Sequence, residues 1–212
     1  MQHRNYLTTE EIQHLLAVPR EGKFQTRDYC MIHMCFIHGL RVSELTGMLL
    51  TDYDPHAKKL LVRRLKGGLS TVHPILAEEN IMLQRWLHER RQLPGYDTPW
   101  LFITRQGGRL SRQRFYQLLR RSGTHAQLPL RVHPHMLRHA CGYELAENGN
   151  DTRLIQDYLG HRNIRHTVHY TAANAERFIK AWQKSDFDCT TGRPAECTAQ
   201  PNADKHSQDI AI

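Results

Sequence analysis

Three histidines and a tyrosine lie within thirteen residues of this chain, in the segment LGHRNIRHTVHYT at positions 159–171. Histidine is the commonest metal ligand in proteins, so this density suggests a zinc or nickel site. However, Arg162 and Arg165 lie among these histidines and would repel a metal cation, and the chain has neither a C-x-x-C pair nor an H-E-x-x-H motif. The residues therefore favour a bound anion, and neither a metal nor another cofactor is expected.

Four basic residues elsewhere in the chain could bind the same anion. They occur in the segments HGLRVSEL, RLKGG and HPHMLRH, and they are Arg41, Lys66, His135 and Arg138. Each of them alone fits a solvated surface charge, and the pair in HPHMLRH fits an ordinary polar helix face. Together on one phosphate, two guanidinium groups would clamp the non-bridging oxygens and stabilise the charge that develops on phosphorus.

Tyr170 would supply the nucleophile for such a site. Attack by its phenol oxygen on a phosphodiester forms a phosphotyrosine, which conserves the energy of the broken bond for rejoining. We expect a cationic pocket to lower the pKa of this phenol. The neighbouring histidines could donate hydrogen bonds or transfer a proton, and a lysine on a mobile hairpin could protonate the departing oxygen.

Mainly helical elements are expected to position these residues. Thr8 and Glu11 have the spacing of a capping box, and the apolar segment at 26–40 predicts a buried helix that Gly39 interrupts. Two β-prone runs, at 60–65 and 69–75, predict a hairpin that carries Lys66 in its turn. A short strand is predicted at 100–104. Further helices are predicted at 78–92, 111–122, 134–148, 151–159, about 164–170 and 174–184.

Charge is the most informative feature of the composition. The chain has 212 residues and a net charge of +8, but the polar segment from Asp186 contains two basic and five acidic residues, so residues 1–185 carry +11. We expect one α+β domain over 1–185, followed by a disordered tail over 186–212. A domain this basic favours nucleic acid as its partner. Scattered cysteines, no secretory signal and no long apolar run predict a cytoplasmic protein without a membrane span.

The order of these residues resembles the signature of the tyrosine site-specific recombinases, which include the phage integrases and the Xer-type enzymes. HGLRVSEL resembles their first arginine box, HPHMLRH resembles their H-x-x-R box, and YLGHRNIRHTVHYT resembles the segment that ends in the nucleophile. The resemblance covers about residues 8–182. It implies the α+β catalytic domain of this family, mainly helical, with a small antiparallel sheet that carries the lysine hairpin. The residues in signature order are Arg41, Lys66, His135, Arg138, His161 and Tyr170.

The same resemblance implies a role for each residue. Arg41 and Arg138 would bind the scissile phosphate, and His135 would accept a proton or bind the phosphate. Lys66 would be the general acid, His161 would bind a non-bridging oxygen, and Tyr170 would attack. Glu44 would orient Arg41, and the helix that begins SRQRFYQLL would approach DNA through Arg112 and Arg114.

Within the family, the run HPHMLRHACGYELAENGNDTRLIQDYLGHRNIRHTV is similar to the short fimbrial-switch recombinases of enteric bacteria, the FimB and FimE type. That subgroup implies no separate N-terminal core-binding domain. It also implies inversion of a promoter-bearing DNA element between inverted repeats, which gives phase variation of fimbriae. Double-stranded DNA with inverted-repeat sites, a homotetramer on the paired sites and accessory DNA-bending proteins are the partners implied.

Two other functions stay open from the residues alone. A catalytically silent DNA-binding regulator could share this fold, although binding alone does not require a nucleophile. A phosphohydrolase that uses histidine and arginine would explain neither Tyr170 nor the basic domain. Covalent trapping on DNA would distinguish these possibilities.

Overall fold

A computed structural model of the chain describes residues 4–18, 24–65 and 67–172. Lys66, the helix predicted at 174–184 and the tail predicted at 186–212 lie outside these residues. Three strands form one sheet, namely β1 (Tyr53–Asp54), β2 (Lys59–Val62) and β3 (Thr71–Pro74). The helices are α1 (Thr9–Ala17), α2 (Gln25–Ile37), α3 (Val42–Thr46), α4 (Ala77–Arg90), α5 (Arg112–His125), α6 (Pro134–Glu147), α7 (Thr152–Leu159) and α8 (Arg165–Ala172).

Helix α2 lies at the centre of the core, as its apolar sequence predicts. It is buried over most of its circumference and packs against α4 on one side and α6 on the other. Such a helix loses a large apolar area from water, which is the main favourable contribution to folding. Its fully buried residues include Met31, Ile32, Met34 and Cys35.

Local signals set the ends of several helices. At α1, the Thr8 side chain accepts a hydrogen bond from the Glu11 backbone N–H at 3.3 Å, and the Glu11 carboxylate accepts one from the Thr8 N–H at 2.9 Å. This is the predicted capping box. Asp151 caps α7, and Gly160, with φ of +65°, ends it. The chain then turns directly into the segment that holds His161.

The predicted hairpin is present, and its two strands pair in antiparallel register. Leu60 lies opposite His73, and Val62 lies opposite Thr71. Strand β1 adds a third strand through Tyr53 opposite Leu60, which the sequence did not indicate. The α+β class, mainly helical with a small antiparallel sheet, is therefore confirmed.

The strand predicted at 100–104 is wrong. The segment forms only isolated bridges, one from Trp100 to Leu49 and one from Ile103 to Arg109. Its three middle residues, Leu101, Phe102 and Ile103, are all buried in the core. A short apolar run of this kind indicates that the segment is buried, but it does not determine whether the backbone forms a strand. None of the helices in the described part of the chain is long and apolar enough to cross a membrane.

Candidate active site

Five of the six signature residues line one cavity of about 370 Å³, namely Arg41, His135, Arg138, His161 and Tyr170. Gly68 lines it as well, from the turn that follows Lys66. Lys66 itself lies outside the described residues, so its placement stays a prediction. The cavity also receives Arg162, His139, His166 and His169. Residues from α3, the hairpin, α6, α7 and α8 thus meet around a strongly basic space.

Arg41 is held by Glu44, the residue predicted to orient it. The guanidinium donates a hydrogen bond to Glu44 Oε1 at 2.7 Å, and the Arg41 backbone N–H donates one to Oε2 at 2.9 Å. Burial raises the pKa of Glu44, but the Arg41 backbone hydrogen bond and the charges of Arg64 and Arg41 outweigh it and leave the pKa lowered. Glu44 therefore stays ionised and fixes the arginine toward the cavity.

Arg64 is a second partner of Glu44 that the sequence analysis missed. Its fully buried guanidinium lies 3.0 Å from Glu44 Oε2. It also donates hydrogen bonds to the backbone carbonyls of His38 at 3.0 Å, Gly39 at 3.3 Å and Tyr158 at 2.5 Å. Strand alternation could have identified it, because Leu60, Val62 and Arg64 are two residues apart and share the inward face.

Arg138 is fixed by two backbone carbonyls, one in the loop before α3 and one at the C-terminal end of α7. Its guanidinium donates hydrogen bonds to the carbonyls of Gly39 and of Leu159, the latter at 2.7 Å. Burial, together with the charges of Arg41 and Arg64, lowers the pKa of Arg138 to about 10. The group remains a cation at neutral pH. Gly39 has a φ of +55°, and a Cβ there would overlap the side chain of Leu159, so glycine is required at this junction.

His161 is a neutral hydrogen-bonding group in this structure. Its Nδ1 lies 2.9 Å from Oγ1 of the fully buried Thr167. Burial and the nearby charges of Arg138 and Arg41 lower the pKa of His161 to about 3. When Thr167 donates to Nδ1, the remaining Nε2 carries the proton and can donate to an oxygen in the cavity.

Tyr170 projects from α8 and is only 2% exposed. Its hydroxyl lies 2.9 Å from His139 Nδ1, and its ring packs on α6 at Gly142, where a Cβ would lie 2.6 Å from the ring. Burial raises the pKa of the phenol, and the charge of Arg138 does not offset this. The prediction of a lowered pKa is therefore wrong, because removal from water destabilises the phenolate more than the charge of one guanidinium stabilises it.

Helix α6 presents one functional face to the cavity. His135, Arg138, His139 and Gly142 are spaced at i, i+3, i+4 and i+7, which places them on the same side of the helix. His139 and Gly142 are not among the signature residues that the sequence indicated. The helical spacing from His135 could have indicated both.

Other polar residues are placed as follows. Arg112 and Arg114 lie exposed in the first turn of α5, outside the cavity lining. His166 and His169, which had no predicted role, line the cavity. Among the residues that the structure describes, no group of three or more histidine, cysteine, aspartate or glutamate side chains could hold a metal ion.

Comparison with known proteins identifies the family. The sequence pattern of the "Phage integrase family" matches residues 5–177, which is most of the chain. The chain belongs to this family, and the resemblance to the tyrosine recombinases is confirmed.

Several known relatives and structures are similar to the chain. Type 1 fimbriae regulatory protein FimB of Escherichia coli K12 is 50% identical over 182 residues, covering 86% of this chain and 91% of FimB. Type 1 fimbriae regulatory protein FimE of the same strain is 50% identical over 188 residues, covering 88% of this chain and 95% of FimE. The crystal structure of XerA recombinase superposes with a TM-score of 0.72 at 27% identity, covering 84% of this chain and 64% of the XerA chain.

Proposed function

We propose that this protein is a site-specific recombinase that cuts and rejoins DNA through a 3′-phosphotyrosine intermediate. The observation that carries the proposal is the meeting of Arg41, Arg138, His161 and Tyr170 around one cavity. Two fixed guanidinium cations, a neutral hydrogen-bond donor and a phenol are the groups that this phosphoryl transfer requires. Membership of the phage integrase family supports the same reaction.

In the proposed reaction, Arg41 and Arg138 bind the non-bridging oxygens of the scissile phosphate, and His161 donates a further hydrogen bond from Nε2. His135 binds the phosphate or accepts a proton. The Tyr170 oxygen forms a bond to phosphorus while the bond from phosphorus to the 5′ oxygen breaks. Lys66 donates a proton to that departing oxygen. Because the arginines are already held by Glu44 and by backbone carbonyls, little reorganisation is needed at the transition state.

We further propose that the reaction inverts a promoter-bearing element between inverted repeats and thereby switches fimbrial expression. The support is the 50% identity to two type 1 fimbriae regulatory proteins. The expected assembly is a homotetramer on two double-stranded DNA sites in the cytoplasm at the nucleoid, with accessory DNA-bending proteins. The net charge of +11 on residues 1–185 suits this substrate, and Arg112 and Arg114 are proposed to contact it.

The decisive experiment traps the covalent intermediate on a nicked suicide substrate that carries the recombination site. The native chain is expected to form a protein–DNA adduct, and Tyr170→Phe is expected to form none. Tyr96→Phe is the matched control, because Tyr96 is exposed and lies outside the cavity lining, and it should form the adduct at the native rate. DNA binding by the native chain without any adduct would overturn the proposal in favour of a silent regulator.

Arg41→Ala tests the phosphate-binding role separately. Its side chain is 24% exposed, so its removal disturbs the fold less than removal of the buried Arg138. We expect DNA binding to remain largely intact while adduct formation is abolished, and binding to weaken steeply as salt is raised. An Arg41→Ala variant that cleaves at the native rate would exclude this arginine from the site.

A further inference from the structure

The hydroxyl of Tyr170 has a specific partner that the signature does not include. His139 lies four residues after His135 on α6, and its Nδ1 is 2.9 Å from Tyr170 Oη. A contact of this length between a phenol and an imidazole is a hydrogen bond. Within the described residues, it is the one hydrogen bond made by the atom that would attack phosphorus.

Packing fixes the orientation of the Tyr170 ring in this pair. The Tyr170 ring lies on Gly142, and the His169 ring lies 3.9 Å from it between centroids. The Tyr143 ring meets Tyr170 edge to face, with centroids 5.1 Å apart and an interplanar angle of 87°. His139 and Tyr170 therefore face each other through constraints from both α6 and α8.

The surroundings keep the His139 ring in its neutral, unprotonated form. Burial is the main cause that lowers the pKa of His139, to about 4, and the nearby charges act in the same direction. The ring is therefore neutral at pH 7. If its proton is on Nε2, the lone pair of Nδ1 faces the phenol. The titratable or charged residues that act on it are His133, which precedes α6, His135 and Arg138 from α6, and His169 from α8.

The phenol, in turn, requires a base. Its burial favours the protonated form, so the nucleophilic phenolate is not present in advance. Attack therefore has to be accompanied by removal of the Oη proton. His139 Nδ1 is already at the distance that proton transfer needs.

We propose that His139 is the general base that takes the Oη proton of Tyr170 during strand cleavage. As the bond from Oη to phosphorus forms and the bond to the 5′ oxygen breaks, the Oη proton moves to His139 Nδ1. The imidazolium that results returns this proton to Oη when the strand is rejoined. This inference rests on the proposed function, and it leaves His135 as a phosphate ligand.

Two substitutions separate proton acceptance from positioning. His139→Asn places an amide oxygen near the position of Nδ1, where it can accept a hydrogen bond but cannot take up a proton at these pH values. His139→Ala removes both functions. His88→Asn is the matched control, because His88 is exposed on α4 and lies outside the cavity lining. The measurement is the single-turnover rate of adduct formation on the nicked substrate, with DNA affinity and thermal unfolding recorded for every variant.

We expect both His139 variants to form the adduct about 10²–10⁴-fold more slowly than the native chain, which is the usual contribution of a general base. DNA affinity and the rate for His88→Asn should not change. The native rate should be nearly independent of pH between about 6.5 and 9, while the rates of both His139 variants should rise with pH as solvent base replaces the imidazole.

A substrate with a bridging sulfur at the 5′ position tests the assignment further, because a thiolate leaves without being protonated. It should restore cleavage by Lys66→Ala and leave the His139 defect in place. Native-like cleavage by His139→Asn, a slow variant whose rate does not change with pH, or restoration by the sulfur substrate would each overturn the proposal. Failure of the native chain to form an adduct would instead reject the proposed function itself.

Discussion

The two sides of the cavity are held in place by different forces. The phosphate side consists of Arg41, Glu44, Arg64 and Arg138, and its members are joined by charged hydrogen bonds to one carboxylate and to the carbonyls of the 38–39 and 158–159 segments. The tyrosine side consists of His139, Gly142, His169 and Tyr170. It is held by one neutral hydrogen bond and by ring packing.

This difference matches what each side has to do in the proposed reaction. The phosphate side must present permanent charge in a fixed place, and charged hydrogen bonds to buried groups provide that rigidity. The tyrosine side must release a proton and form a bond, so its groups remain neutral and less strongly fixed. The site therefore combines a preorganised charge with a nucleophile that is activated during the reaction.

The largest expected effect comes from breaking the phosphate side at Arg64. Arg64→Met leaves the ionised Glu44 without one of its two cationic partners and leaves buried carbonyls without donors. Loss of one partner from a buried ion pair costs about 3–5 kcal/mol, a large share of a typical stability of about 5–15 kcal/mol. Denaturant unfolding measures this loss directly.

Arg85→Met is the control for that prediction. Its side chain is 67% exposed, and its Nε lies 3.4 Å from Oε1 of Glu89, which is itself 39% exposed. An exposed ion pair is worth about 0–1 kcal/mol, so the free energy of unfolding should change little. Equal losses for the two variants would show that the buried network does not stabilise the fold as described.

A smaller effect is expected from crowding the tyrosine side with Gly142→Ala. The added Cβ would lie 2.6 Å from the Tyr170 ring, so the ring has to move. Overpacking of this kind costs about 1–3 kcal/mol, and a displacement of about 1 Å at a reacting group can slow a reaction about 10²-fold. The adduct assay should therefore show a rate loss of about 10²-fold, and denaturant unfolding should show a smaller loss than for Arg64→Met.

Gly108→Ala is the control for adding a methyl group. The new Cβ would lie 3.6 Å from Thr104 Oγ1, which is an ordinary van der Waals contact, so no neighbour has to move. It should leave both the unfolding free energy and the adduct rate close to native values. A Gly142→Ala variant that cleaves as fast as Gly108→Ala would show that the position of the Tyr170 ring is not critical.

The smallest expected effect is on how the free energy of unfolding changes in acid, where His139 on the tyrosine side and Glu44 on the phosphate side should behave differently. The pKa of His139 is lowered to about 4, which keeps the histidine neutral. The pKa of Glu44 is lowered as well, which keeps this carboxylate charged. In the unfolded chain a histidine binds a proton below about pH 6.5. Between about pH 6.5 and 4, His139 therefore binds a proton in the unfolded state but not in the folded state. The free energy of unfolding falls as the pH drops through this range.

The comparison variant is His139→Asn, which removes this titration. The contribution of His139 should be about 1 kcal/mol or less, because solvent partly screens the ring. Denaturant unfolding at pH 7 and at pH 5 should show a smaller loss for His139→Asn than for the native chain, while His88→Asn should follow the native chain. Identical losses for the native chain and His139→Asn would show that the half-buried His139 ring does not have the lowered pKa.

Much of the fold followed from local patterns in the chain. The capping box at Thr8, the buried helix α2 and the hairpin around Lys66 depend on residues close in sequence, and the structure contains the corresponding elements. The strand predicted at 100–104 failed because an apolar run reports burial and leaves the backbone conformation undetermined.

The types and order of the site residues were likewise readable from the sequence, because phosphate chemistry requires permanent cations, a proton donor and a nucleophile. The inward position of Arg64, the contact between His139 and Tyr170, and the direction of the Tyr170 pKa shift were not. Arg64 reaches a carbonyl 94 residues away in the chain, and His139 meets a residue 31 positions away. Such contacts, and the water they exclude, arise only when distant segments pack together, and desolvation then decides which groups stay charged.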